Sequence, residues 1–220
     1  KLWKYLMINE FQKRVLSSLI LIPLCFFFLI KGSFLINFLL IICLLVSFYE
    51  WYMMSKKKSY HFFGYLFLTL SFYSAYLTRN IDEYGLLFLF VIIICISTDI
   101  GGYVFGKTFK GPKLTKISPQ KTYSGLLGSY FLSIITISFF LSYSSLYIVL
   151  NTEYSLKFFI MVILISTISQ LGDITISYFK RLSNIKDTGK IIPGHGGLLD
   201  RIDGMIFAFP FSYIIFISGF

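Results

Sequence analysis

Seven apolar stretches, at roughly 15–30, 34–53, 60–78, 84–105, 125–150, 157–178 and 203–220, divide this 220-residue chain and limit what it can fold into. Several run about 18 residues with few or no charges, enough to cross a hydrocarbon core about 30 Å thick as a helix. Backbone N–H and C=O groups inside such a core find no water, so each stretch must satisfy its own hydrogen bonds, which an α-helix does. The sequence therefore predicts an all-α fold: a polytopic transmembrane helical bundle of about seven spans with a polar, cytoplasm-facing cavity. Composition agrees, with 56% hydrophobic and 14% charged residues; soluble domains sit nearer 45–50% and about 25%. The three Cys, at 25, 43 and 95, each lie in an apolar run without metal-site or redox spacing and read as small hydrophobes.

Charge fixes the expected orientation. Seventeen of the twenty Lys and Arg residues fall on alternate segments: the N-terminus, Lys56–Lys58, the 107–121 loop and the 180–201 loop. Lys31, Arg79 and Lys157 fall on the other side. The positive-inside rule puts the N-terminus and the basic loops in the cytoplasm. The net charge of +10 is then topological signal and attraction to anionic lipid, so no nucleic-acid partner is expected. The first stretch follows Lys13–Arg14 but lacks a small-residue cleavage site, and reads as a retained helix. The expected location is a membrane, with the chain integral to it and its basic loops cytoplasmic. Residues 1–96 read as N-terminal transmembrane helices, and 97–220 as a transmembrane region with two basic loops, where any chemistry is to be sought.

Two cytoplasmic segments carry more than a charge run. One, Ser97–Gly125, reads STDIGGYVFGKTFKGPKLTKISPQKTYSG. The other, SYFKRLSNIKDTGKIIPGHGGLLDRID at Ser177–Asp203, is preceded by SQLGD. Asp99 and Asp173 each close a long apolar run, where an acid faces a water-filled cavity, a partner or an ion, or simply reaches interfacial water. Asp200 and Asp203, three apart, could share one face of a helix's first turn and cap it, or join the cations upstream. Carboxylates beside Lys180, Arg181, Lys186, Lys190 and Arg201 suit phosphate chemistry, because Mg²⁺ takes one or two carboxylates plus phosphate oxygens. Gly194, Gly196 and Gly197 would let backbone N–H groups approach an anion. His195 suits hydrogen bonding to substrate. Glu50, alone in SFYEWYMM, reads either as a partner for a basic loop residue or as an interfacial carboxylate. GGYVFG at 101–106 follows no strand of a βαβ unit and is not a dinucleotide fingerprint.

The second segment resembles the signature of the phosphatidate cytidylyltransferase (CDP-diacylglycerol synthase) family. It matches at Ser177, Lys180–Arg181, Lys186–Asp187, Gly189, Pro193–Gly194–His195–Gly196–Gly197 and Asp200–Arg201–Ile202–Asp203. Asp99, Gly106–Lys107, Lys113–Leu114, Ile117–Ser118–Pro119, Lys121–Thr122 and Gly125 are similar to its other motif block. The resemblance covers roughly 97–204 strongly. It departs at Ile176, Gln120 and Tyr123–Ser124, where the family commonly has an acid, a Lys and Trp-Glu.

The resemblance implies that CTP and phosphatidic acid react to give CDP-diacylglycerol and pyrophosphate. It implies Mg²⁺ on Asp173 and Asp200, with Asp203 next, and a second cation such as K⁺. Lys180, Arg181, Lys186, Lys190 and Arg201 would clamp phosphates, with His195 beside them. Ser118, Lys121, Thr122, Ser177, Asp187, Gly196, Gly197 and Asp99 would line the substrate site. A homodimer follows from the resemblance alone. Two rival readings fit less well. A CDP-alcohol phosphotransferase needs a motif that Asp203–Gly204–Met205–Ile206–Phe207–Ala208 does not match. A transporter using the intramembrane carboxylates would be expected to show inverted repeats, and none is visible.

Overall fold

The computed structural model describes residues 33–56, 58–115, 117–144, 156–192, 194 and 196–218. The first apolar stretch, Cys25, Lys31, Lys57, Lys116, Pro193 and His195 lie outside the described residues. Within them the regular structure is helical: α1 (Ser33–Ser55), α2 (His61–Arg79), α3 (Leu86–Phe109), α4 (Tyr123–Tyr143), α5 (Leu156–Leu182), α6 (Leu199–Ile202) and α7 (Met205–Ser218). The all-α expectation holds.

Helices α1, α3, α4 and α5 are long and apolar enough to cross a membrane. The last two contain 21 and 27 residues, or about 32 and 40 Å at 1.5 Å per residue. α2 has 19 residues and carries Thr69, Ser71, Ser74 and Thr78; α7 has 14. The 125–150 stretch is helical as α4 up to Tyr143, and residues 145–155 lie outside the described part. The last apolar stretch is helical as α7, and the short α6 before it is a separate helix. Asp200 sits in α6 while Asp203 sits in the turn that follows, so the two do not share a helix face. The Asp203 carboxylate accepts from the Gly204 N–H (2.9 Å). The Gly204 carbonyl then starts α7 by accepting from Phe207 and Ala208.

The chain forms two compact units, Lys1–Thr69 with Ser183–Ile202, and Leu70–Leu182 with Asp203–Phe220. In the second, α3, α4, α5 and α7 pack as a helical bundle. Phe90, Val91, Ile94, Phe158, Val162, Ile165 and Ala208 fill its core. The glycines of GGYVFG serve packing: a Cβ on Gly101 would lie 2.5 Å from the Gly128 carbonyl oxygen of α4. Small residues that let backbones approach are the usual basis of helix association in lipid, where burial of apolar surface contributes little. Hydroxyl bonds add to it, from Thr98 to Ser166 (2.8 Å) and from Ser129 to the Thr98 carbonyl (2.7 Å). Asp82 starts α3 by accepting from the N–H groups of Leu86 (2.6 Å) and Leu87 (3.1 Å).

In the first unit, Trp51 of α1 donates to the His61 carbonyl at the start of α2 (2.9 Å). Ser55 pairs with His61 Nδ1 (2.8 Å), and Tyr60 with Ser183 (3.0 Å). The outward face of α1 shows Phe34, Phe38, Ile41 and Leu45, a run that suits lipid contact. Cys95 is buried in α3 and Cys43 partly so in α1.

Candidate active site

The second unit gathers carboxylates and lysines around the C-terminal half of α5. Asp173 lies on α5, and Ser177, one turn on, donates to its Oδ1 (3.2 Å). The 110–122 loop folds back on itself, with Leu114 N–H bound to the Lys121 carbonyl (2.7 Å) and Lys121 N–H to that of Ser118 (3.1 Å). This places Lys121 just before α4, where its Nζ lies 2.6 Å from Asp173 Oδ2 and donates to the Gln170 carbonyl (3.2 Å). Thr122 is the N-cap of α4, accepting from Gly125 N–H (3.1 Å) as hydroxyl side chains do at that position.

Asp203 is 8% exposed. It reaches α5 because Gly172 has no side chain: a Cβ there would lie 2.8 Å from the Asp203 carbonyl oxygen. Asp203 sits in the turn between α6 and α7, outside the helical spans. Burial first, then the charges of Asp173 and Asp99, push its carboxyl well above the usual carboxylate range, against Lys180 and the Gly204 N–H. Lys180 is itself only 9% exposed. The unit thus holds Asp203 repelled by Asp173 and Asp99, with Lys180 opposing that repulsion and Lys121 paired with Asp173.

The first unit holds the glycine-rich part of the signature. Ile192 N–H bonds to the Gly196 carbonyl (3.0 Å), closing a turn in which Gly194 and Gly196 take φ of 77° and 89°. That left-handed region favours glycine. Asp200 Oδ2 accepts from the N–H groups of Thr188 (2.8 Å) and Gly197 (3.0 Å), with the Thr188 hydroxyl at 3.1 Å. Asp187 flanks the same turn. Lys186, Lys190 and Arg201 are exposed, as is Arg181 at the end of α5 in the other unit.

Sequence reasoning undervalued two residues. Glu50 does not reach water, and among the described residues it pairs with backbone and hydroxyl donors rather than with a base. It is 1% exposed and accepts from the N–H groups of Leu198 and Leu199 and from the Thr188 hydroxyl. Backbone donors suit it because they satisfy a buried carboxylate without burying a second charged side chain. Thr188 was not singled out at all. The one signal was an acid standing alone inside an apolar span.

Among the described residues, no group of three or more His, Cys, Asp or Glu side chains converges as a metal centre. The Asp173 and Asp203 pair offers hard oxygen donors in a cluster with surplus negative charge. That suits an ion needing one or two protein carboxylates.

A family model described as "Cytidylyltransferase family" matches residues 58–218. Among curated proteins, the phosphatidate cytidylyltransferase of Rickettsia felis is 35% identical over 207 residues, 92% of this chain and 90% of that one. The same-named protein of Rickettsia bellii is 35% identical over 207 residues, 92% and 89% of the two chains. That of Bacillus subtilis is 38% identical over 139 residues, 62% of this chain and 50% of the relative.

Proposed function

We infer the chemistry from one premise: the chain belongs to the cytidylyltransferase family. It is an integral membrane enzyme that makes CDP-diacylglycerol and pyrophosphate from CTP and phosphatidic acid. The observation that carries this reading to particular atoms is the buried Asp203, crowded by Asp173 and Asp99 and faced by Lys180. Such a group of acids is costly in a membrane protein unless a cation and phosphates use it.

Asp173 and Asp203 would hold Mg²⁺, which would supply positive charge to offset that developing on the phosphate oxygens. Asp203 ranks ahead of Asp200 here, because Asp200 Oδ2 accepts three hydrogen bonds, from Thr188 and Gly197, whereas Asp203 Oδ1 accepts one, from Gly204. A second cation such as K⁺, implied by the family resemblance, would use Asp99. Lys121 and Lys180 hold the carboxylates apart in charge. Lys186, Lys190, Arg181 and Arg201 neutralise phosphate oxygens. The lipid phosphate is already an anion and attacks the α-phosphorus of CTP without a general base; the P–O bond to the β-phosphate breaks and pyrophosphate leaves. The apolar helices keep the acyl chains in the bilayer while the headgroup reacts. The bacterial inner membrane, the cytoplasmic side for both loops and a homodimer complete the proposal.

The test is purified chain in detergent with CTP labelled at the α-phosphorus, phosphatidic acid and Mg²⁺. The reading expects label in the lipid phase, dependent on both metal and lipid. Label that never enters lipid overturns it.

A further inference from the structure

We propose that Glu50 is a positioning residue for cytidylyl transfer, holding the Thr188–Asp200 loop in its working shape. This rests on the cytidylyl-transfer reading above. Glu50 lies outside the segment that the family model matches, 58–218. Its partners lie 138 to 149 positions along the chain.

A fully buried carboxylate is tolerated only when its oxygens are bonded. Here the donors come from a single loop. Oε1 accepts from Leu198 N–H at 2.8 Å. Oε2 accepts from Leu199 N–H at 2.8 Å and from the Thr188 hydroxyl at 2.9 Å. Bonds with an ionised acceptor are shorter and about twice as strong as neutral ones, and three of them converge on one side chain.

Those partners adjoin Asp200. Thr188 places its N–H 2.8 Å and its hydroxyl 3.1 Å from Asp200 Oδ2. Gly197, which gives Asp200 its other N–H at 3.0 Å, precedes Leu198. The single Thr188 hydroxyl proton thus lies between two carboxylates, one on α1 and one in the signature. Two signature glycines make room for the arrangement. A Cβ on Gly189 would lie 2.7 Å from Glu50 Oε1, and one on Gly197 would lie 2.5 Å from Glu50 Oε2. Glu50 therefore acts through Thr188 and the 197–199 backbone, fixing where Asp200 and its neighbour Arg201 point.

The experiment compares the full chain in detergent with Glu50→Gln, Thr188→Val, Thr188→Ser and the Glu50→Gln/Thr188→Val double variant. Turnover and backbone amide exchange are read on each. Glu50→Gln keeps shape but loses charge and turns one acceptor into a donor. It and Thr188→Val should each lose about 10–100-fold in turnover, the usual scale for a group that orients a functional carboxylate. Thr188→Ser, which keeps the hydroxyl, should recover most of that loss. The double variant should be no worse than the poorer single one, because both break one linkage. Exchange at Leu198 and Leu199 should quicken about tenfold in Glu50→Gln, the scale of losing a charge-assisted bond, with α3–α5 unchanged.

Wild-type turnover in both single variants, Thr188→Ser as poor as Thr188→Val, or unchanged exchange at Leu198 and Leu199 would each overturn the proposal. If Glu50→Gln does not fold, the Thr188 pair decides. A folded wild type without cytidylyl transfer would overturn the activity reading instead, and the exchange result would still decide whether Glu50 orders the loop.

Discussion

Lys121 Nζ lies 2.6 Å from Asp173 Oδ2, joining the residue just before α4 to the C-terminal half of α5. Both side chains are partly open, at 21% and 29% exposed. A pair of that exposure contributes about 0–1 kcal/mol to stability. Its value lies in aiming the Asp173 carboxylate. Lys121→Met should therefore leave the melting temperature in detergent nearly unchanged while turnover falls about 10–100-fold. A matched fall in both would make the pair structural.

Asp203→Asn separates the metal role from the structural one. The acid's raised pKa means that its stabilising, protonated form is present below the ordinary carboxylate range and is lost as pH rises through the raised value. At neutral pH without metal, Asn should remove repulsion from Asp173 and Asp99 and raise the melting temperature. At this chain length the gain is roughly 2–4 °C per kcal/mol. The wild type should gain stability on adding Mg²⁺ and the variant should not, by differential scanning fluorimetry across pH.

The α3–α4 contact makes a packing prediction. Gly101→Ala would drive a Cβ to 2.5 Å from the Gly128 carbonyl, which is backbone and cannot turn aside. Gly102→Ala meets the Ser129 hydroxyl at 2.9 Å, a side-chain end that can rotate. Overpacking costs about 1–3 kcal/mol, so thermal melts should rank Gly101→Ala clearly below Gly102→Ala.

Much of this was legible in the sequence. Hydropathy marks the helices because lipid leaves the backbone no alternative, and α1, α3, α4 and α5 fall where the apolar runs lie. The dense polar segment after α5 marks the chemistry, and Asp99, Asp173 and Asp203 do interact. What sequence could not supply was long-range pairing. Nothing local says that Glu50 bonds to Leu198, or that Gly197 is small because a carboxylate from α1 lies against it. The break between α6 and α7 was equally hidden, because acids at 200 and 203 also suit the first turn of a single helix.

The most direct measurement is single-turnover transfer from α-labelled CTP to phosphatidic acid by the purified chain, wild type beside Asp203→Asn and Asp173→Asn, at saturating Mg²⁺. The account predicts label in the lipid product with wild type, and a fall of roughly two to three orders of magnitude in each variant, the scale of losing a preorganised transition-state stabiliser. Wild-type rates in both variants would contradict it.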